Sequence, residues 1–333
     1  MRIAFCHHLS LGYYGGGEKW VIGVSKELVR RGHDIEIYAL PFLLEGKKKV
    51  NPKDLLEGIP YSEGLRHKVR ADVVYLTYHP LSWLNFDTSR PRITGIHAQS
   101  YWQKPNPHYG LLPNLSLIAN KFTSYSELRR FNAVHMVTTA YPCNHPKVYF
   151  IPNFVDADQY KPVKEKENEL TIAFSSRTVW AKGWDVFQNT IRLLKKTRQP
   201  FKVKVTEGKV SESEMPEFLS ASHISLLPSR VDTFGLAIVE SLLCETPVIT
   251  TPLQTHKVLE LPLLFGSSIQ ENVAEILRLA ILWEEKREEY MNYAKQCRRE
   301  ALKYDKEAVM NRLEGMFKEV YLGCKRKPRR KET

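Results

Sequence analysis

No stretch limits the possible fold more than Leu226 to Thr251, which reads LLPSRVDTFGLAIVESLLCETPVITT. The apolar run Ile224 to Leu227 is short enough for a buried strand. Pro228 and Ser229 break it. Asp232-Thr233-Phe234-Gly235 then leads into an apolar helical pattern that ends near Cys244, and Thr246-Pro247 stops the helix. Val248-Ile249-Thr250 supplies the next strand. Strand, loop, helix and strand in this order form the repeating unit of a parallel sheet.

Two acids punctuate the run. Asp232 falls in the loop, and Glu240 falls inside the helix among Leu236, Ala237, Ile238, Val239, Leu242 and Leu243. A charge in such company costs free energy unless something pairs with it. Spacing leaves two readings open. In one, Asp232 is a helix cap and Glu240 reaches solvent or an arginine. In the other, Gly235 lets a phosphate approach the helix N-terminus while the two carboxylates take hydroxyl groups, which outlines a nucleotide-sugar site.

Ile3 to Cys6 reads as a strand, Trp20, Val21, Val24, Leu28 and Val29 recur at helical spacing, Gly32 stops that helix, and Ile35, Ile37 and Ala39 alternate as a second strand. This is a βαβ unit opening a doubly wound sheet. Between strand and helix lies a loop with Gly15, Gly16, Gly17 and Glu18, whose backbone N–H groups can face an anion. A plain flexible turn is the competing reading, and the loop is not the GxGxxG of nicotinamide enzymes. His79 and His97 each follow the carboxyl end of an apolar strand, Val73 to Tyr78 and Arg92 to Ile96, which is the ligand-binding edge of such a sheet. A histidine there can donate a hydrogen bond to a sugar hydroxyl or hold a loop carbonyl. After the strand Leu170 to Ser175, Arg177 and Lys182 share the loop that enters a helix near Gly183. Two cations beside a helix N-terminus suit a diphosphate, Arg by bidentate bonds and Lys as a point charge. Gly208 falls where the chain can approach a nucleotide.

Length suits two domains, and a hydrophobic fraction of 43% with 26% charged residues is that of an ordinary globular protein. The net charge is +12, of which Lys325 to Thr333 contributes +5, a run whose composition predicts a disordered, solvated tail. A basic body suits phosphorylated donors, anionic acceptors or an anionic membrane surface, which Lys47 to Lys49 can touch. Five scattered cysteines show neither a disulfide framework nor zinc spacing, so a reducing cytosol is the simplest compartment. Neither a signal peptide nor a run of the ~20 apolar residues that a spanning helix needs is read, so membrane contact is expected to be peripheral.

Taken together, these residues resemble the retaining glycosyltransferases of family 4. The signature is an acid, seven residues and a second acid (Asp232 and Glu240), framed by Pro228-Ser229 and Thr246-Pro247-Val248, with Phe234-Gly235 inside it. Asp232 stands where Glu is usual, and Glu245 where Gly is usual. Arg177, Lys182 and Gly183 match the family's GR…EKG loop, with Ser176 and Ala181 in place of its Gly and Glu. Gly16, Gly17 and Glu18 match its glycine loop. Ile151 to Asp156 resembles its IPNGVD hinge, with Phe154 for Gly. Ser124 to Leu128 resembles its strand end at Ser, where Ser126 would cap the following helix.

The resemblance implies an α/β protein of GT-B fold, with two Rossmann-like doubly wound domains facing a central cleft. Residues 1–158 would form the acceptor-side domain, 169–304 the nucleotide-sugar domain and 325–333 a basic tail, with the helix at about 306–322 packing back on the first domain. It implies a hexosyltransferase that moves a sugar from a nucleotide diphosphate to an acceptor hydroxyl with retained configuration and no metal. Arg177 and Lys182 would stabilise the leaving diphosphate. His97 and Asp232 would hold the transferred sugar, and Glu240 the ribose. Gly16, Gly17, Phe234 and Gly235 would line the nucleotide sugar. The acceptor would be a saccharide, free or linked to lipid or protein, and the enzyme cytoplasmic or peripheral at a membrane. A nucleotide-sugar epimerase of the same fold is the alternative. A basic nucleic-acid-binding protein fits the charge but leaves Glu240 without a role.

Overall fold

Apolar strands that alternate with amphipathic helices fold here into two parallel sheets, each in its own unit. The computed structural model describes residues 1–43, 50–97, 105–207 and 210–325; Lys47 to Lys49, Gly208 and the tail beyond Lys325 lie outside the described residues. The first unit comprises Met1–Ile151 and Met310–Thr333, and the second Pro152–Val309.

In the first unit, β1 (Arg2–His7), β2 (Asp34–Ala39), β3 (Tyr61–Glu63), β5 (Val73–Thr77), β7 (Arg92–Ile96), β8 (Ala133–Met136) and β9 (Val148–Phe150) form a seven-stranded sheet in the order β3-β2-β1-β5-β7-β8-β9. Every pairing in it is parallel. β4 (His67–Lys68) and β6 (Phe86–Asp87) pair separately. Strand order turns outward in both directions from β1, so the crevice of a doubly wound sheet opens at the carboxyl ends of β1 and β5. Helix α1 (Gly16–Arg30) buries Trp20, Val21, Val24 and Leu28 on the sheet and ends at Gly32, whose φ of +82° is the left-handed turn expected of a helix stop. Phe5 of β1 packs on Tyr75 of β5, on Trp20, and on Phe317 of the final helix, with ring centroids 5.4, 6.3 and 6.0 Å away.

Between β2 and β5 the polar stretch holds the short helix α2 (Pro52–Leu55), but its composition conceals the edge strand β3. β3 has three residues, too few for an alternating pattern to register. Ser126 does not cap a helix. It lies in the last turn of α3 (Leu111–Leu128), and the strand that follows is β8. The signal read as a helix start was the tail of a helix whose inner face, Leu117, Asn120, Ser124 and Leu128, is buried.

The second unit's sheet, β11-β10-β12-β13-β14, is also parallel throughout, from β10 (Thr171–Phe174), β11 (Lys202–Val205), β12 (Ile224–Leu227), β13 (Val248–Thr250) and β14 (Leu264–Phe265). Alternate residues face opposite sides, and both sides are buried. Ile172, Phe174, Ile224 and Leu226 pack under α4 (Trp184–Leu194) and α8 (Ile269–Glu285). Ala173, Leu227 and Val248 pack under α5 (Met215–Ser220), α6 (Leu236–Leu243) and α9 (Arg287–Ala301). The short α7 (Gln254–Lys257) follows β13. The last helix, α10 (Lys306–Lys325), starts in the second unit; from Met310 its residues count with the first, where Leu313, Met316, Phe317 and Val320 are buried. The order switch here lies between β10 and β12, so the loops that leave those two strands line this sheet's crevice.

Candidate active site

In the second unit those two loops are fastened to each other. The loop after β10 winds into a single 3₁₀ turn, Trp180–Lys182, and Gly183 turns it into α4 with φ +72°. A Cβ on Gly183 would lie 1.9 Å from the carbonyl oxygen of Pro228, so both the conformation and the neighbour demand glycine. The N–H groups of Arg230 and Val231 donate to Ala181 O at 3.0 and 3.1 Å. The Arg230 guanidinium grips both carboxylate oxygens of Asp185 and lies over the Trp180 ring.

This clamp brings Lys182 and Asp232 together. Lys182 Nζ donates to Asp232 Oδ2 at 2.8 Å, and Asp232 Oδ1 accepts from the N–H of Gly235 at 3.1 Å. The two side chains are 21% and 16% exposed, largely withdrawn from water. Burial works to raise the Asp232 carboxyl, but the Lys182 charge and His256 together outweigh it and hold the group well below the usual carboxylate range. Gly235 has φ +89° and is itself the N-cap of α6, so Asp232 is not that cap; it accepts from the Gly235 N–H as a charged group beside the positive end of the helix.

His256, on α7, is a member of this site that the featureless loop after Thr251 gave no reason to select. It is buried, and its Nδ1 lies 3.1 Å from both Thr251 O and Thr250 Oγ1. Thr250 already donates its hydroxyl proton to Leu227 O, so Nδ1–H is the donor in both contacts. Nε2 faces Asp232 Oδ2 at 3.8 Å and has no hydrogen-bond partner among the described residues. Ser175 Oγ, just past β10, is likewise buried without a partner among them. Unpaired buried polar atoms are uncommon and call for an explanation, and a bound ligand supplies one.

The other expected residues fall into place individually. Arg177 is exposed on the β10–α4 loop and makes no ion pair among the described residues. Glu240 sits in the second turn of α6, half-buried; burial above all, and next the Glu240 charge, raise the Tyr160 phenol. Phe234 is different: its ring is 2% exposed and packs edge-on against Tyr304, 5.3 Å away, so its side chain belongs to the core and only its backbone can meet a ligand.

In the first unit Gly16 and Gly17 are the first residues of α1. A Cβ on Gly16 would meet open space, whereas one on Gly15 would press on Tyr13 and Glu18. Glu18 is fully engaged within the protein: Oε1 pairs with His7 Nε2 at 2.7 Å and Oε2 accepts from the Gly15 N–H at 2.8 Å. Its carboxyl is pushed up by burial and pulled down further by His7, for a net depression. His79 is exposed, bonds Pro80 O at 3.2 Å and stacks on His8. His97 follows β7, with the Trp20 ring 4.2 Å away and Tyr75 Oη 2.7 Å from its Nε2.

Residues 202–300, which run from β11 through most of α9, match the family model described as glycosyl transferases group 1. No curated protein matches the chain by sequence. Its fold is that of the GT-B glycosyltransferases. A glycosyltransferase from Rickettsia africae ESF-5 is similar over 96% of this chain and 98% of its own, with TM-score 0.73 and 14% identity. The sucrose-phosphate synthase of Thermosynechococcus elongatus is similar over 97% of this chain and 100% of its own, at 0.73 and 12%. Anabaena HepE in complex with UDP and glucose is similar over 96% and 99%, at 0.69 and 16%. The chain thus has the GT-B fold, and a part of it resembles the glycosyl transferases of group 1. The matched residues lie within the second unit.

Proposed function

We propose that this enzyme transfers a hexose from a nucleotide diphosphate to an acceptor hydroxyl with retained anomeric configuration and without a metal. One observation carries the reading: the fastened β10–α4 and β12–α6 loops bring a lysine, a carboxylate and a helix N-terminus to one point at the carboxyl edge of a parallel sheet. As the glycosidic bond breaks, negative charge develops on the leaving diphosphate. Lys182, Arg177 and the N-terminus of α6 at Gly235 stabilise it, the work a divalent ion does elsewhere. A diphosphate competes with Asp232 for Lys182 and frees that carboxylate for the sugar hydroxyls. Glu240 accepts from the ribose. Gly16 and Gly17 offer the α1 N–H groups to the phosphates, and His97 contacts the transferred sugar.

Anabaena HepE holds UDP-glucose in one structure, which makes this nucleotide sugar the first donor to try. The acceptor is a saccharide, free or linked to lipid or protein. The basic charge of +12 and an exposed apolar stripe on α3 support a peripheral seat on an anionic membrane, with the active site in the cytoplasm. UDP release from UDP-glucose tests the chemistry. We expect release to persist in EDTA and to fall on the order of 10²-fold or more in Lys182→Ala. Complete, metal-restored loss in EDTA, or an unchanged Lys182→Ala, contradicts it.

A further inference from the structure

One oxygen in the second unit is addressed by two nitrogens. Asp232 Oδ2 accepts from Lys182 Nζ at 2.8 Å, and His256 Nε2 faces the same atom at 3.8 Å, beyond hydrogen-bond reach. His256 is 1% exposed, and its Nε2 has no hydrogen-bond partner among the described residues. A Cβ on Gly235 would come within 3.5 Å of that nitrogen, so the ring lies against the start of α6.

The protons on the ring can be placed. Thr251 O only accepts, and the Thr250 hydroxyl has given its proton to Leu227 O. Nδ1 therefore carries a hydrogen in both charge states, and only Nε2 can change. Bare, Nε2 turns a lone pair toward a carboxylate, acceptor against acceptor. Protonated, it is a cation beside an anion and can close into a charge-assisted hydrogen bond. Of the charged groups on the elements around the ring, Asp232 faces it and Lys182 shares its oxygen. Lys257, next on α7, is exposed, and Glu240 of α6 lies within charge range of Tyr160 and Cys244. Against burial, which works to raise it, Lys182 and His256 hold the Asp232 carboxyl low. While Lys182 neutralises Oδ2, a second buried cation costs desolvation without an equal return. A diphosphate that draws Lys182 away removes that neutralisation and adds negative charge, and both changes favour the proton on Nε2.

We infer that His256 is a positioning residue that takes a proton from water on Nε2 when a diphosphate draws Lys182 away, and then holds Asp232 Oδ2 in the lysine's place. No other bond changes in this step. Asp232 stays ionised to meet the sugar hydroxyls, and the site gains a positive charge as the anion enters. The inference rests on the proposed function for its ligand; the pairing of His256 with Asp232 belongs to the protein alone.

Calorimetric titration of the full-length protein with UDP-glucose, in buffers of different ionisation enthalpy, counts the protons taken up. At about pH 7.5 we expect roughly one half to one proton per UDP-glucose bound in the wild type, and close to none in His256→Asn. Asparagine places an N–H close to where Nδ1–H stands, so the contact with Thr251 O is kept while the titrating nitrogen is lost. By reciprocity, wild-type binding should tighten about 3- to 10-fold as pH falls from about 8 to about 7, and His256→Asn should respond within about 1.5-fold. A merely structural histidine would change affinity without changing this slope. No proton uptake by the wild type, or equal uptake in the variant, overturns the inference. If UDP-glucose does not bind the wild type, the donor reading fails for this sugar nucleotide, and ¹⁵N-histidine spectra of the protein alone decide the pairing. With a His256→Asn sample assigning the signal, Nε2 should gain its proton at higher pH in the wild type than in Asp232→Asn. Identical titrations overturn it.

Discussion

Lys182 and Asp232 show how one pair of side chains serves both folding and chemistry. They neutralise each other at 2.8 Å, and the carboxyl is held below its ordinary range. A folded-state pKa below the unfolded one stabilises fully above the unfolded value, near 4, and the stabilisation is lost as pH falls through the lower folded value. Asp232→Asn should therefore cost about 1–3 kcal/mol at pH 7, with the gap from wild type closing in acid, as urea unfolding at several pH values would reveal. A gap that widens in acid would contradict the pairing. The cations and acids of this site were legible because their residue types are out of keeping with the apolar run around them. His256, and Arg230 with Asp185, were not. Each depends on contacts between residues far apart in sequence. Phe234 was selected by its place in a motif, but its ring has a packing task that a motif does not reveal.

Among the elements, turns decide more than strands do. Gly183 is fixed by a left-handed φ and by the carbonyl of Pro228, whereas Gly16 opens α1 with free space above it. Gly183→Ala should destabilise the second unit by about 3 kcal/mol or more, combining the left-handed penalty with the clash. Gly16→Ala should leave stability within about 1 kcal/mol. Thermal melts of the two variants check the contrast, and equal losses would sink it. Helix α3 is apolar on its outer side too. Leu111, Leu115, Ile118 and Phe122 recur at one-turn spacing and are 75%, 51%, 43% and 81% exposed, while the opposite face is buried. The double change Leu115→Ser and Phe122→Ser should reduce sedimentation with vesicles containing phosphatidylserine at least about 5-fold and leave UDP release unchanged. Undiminished binding would remove the membrane role of this stripe. Most long, periodic elements were legible in the sequence, but the three-residue β3 and the whole of α3 were not; Gly110 and Pro113 interrupt the periodic signal where α3 begins.

For the whole molecule, two parallel sheets each offer a carboxyl edge built for ligands, and the division of labour follows the residues found there. Histidines and the glycine-started helix α1 occupy the edge of the first unit. Cations, an acid and two buried polar atoms with no hydrogen-bond partner among the described residues occupy that of the second, which also carries the region matching group 1 glycosyl transferases. Among the described residues no helix is long and apolar enough to cross a membrane. We propose above all that the second unit holds a sugar nucleotide by its diphosphate through Lys182 and Arg177. Calorimetric titration of the full-length protein with UDP-glucose, in EDTA, compares wild type with Lys182→Ala. We expect saturable binding by the wild type that weakens at least about 10-fold in the variant. Binding that needs a divalent ion, or that is the same in both proteins, would contradict it.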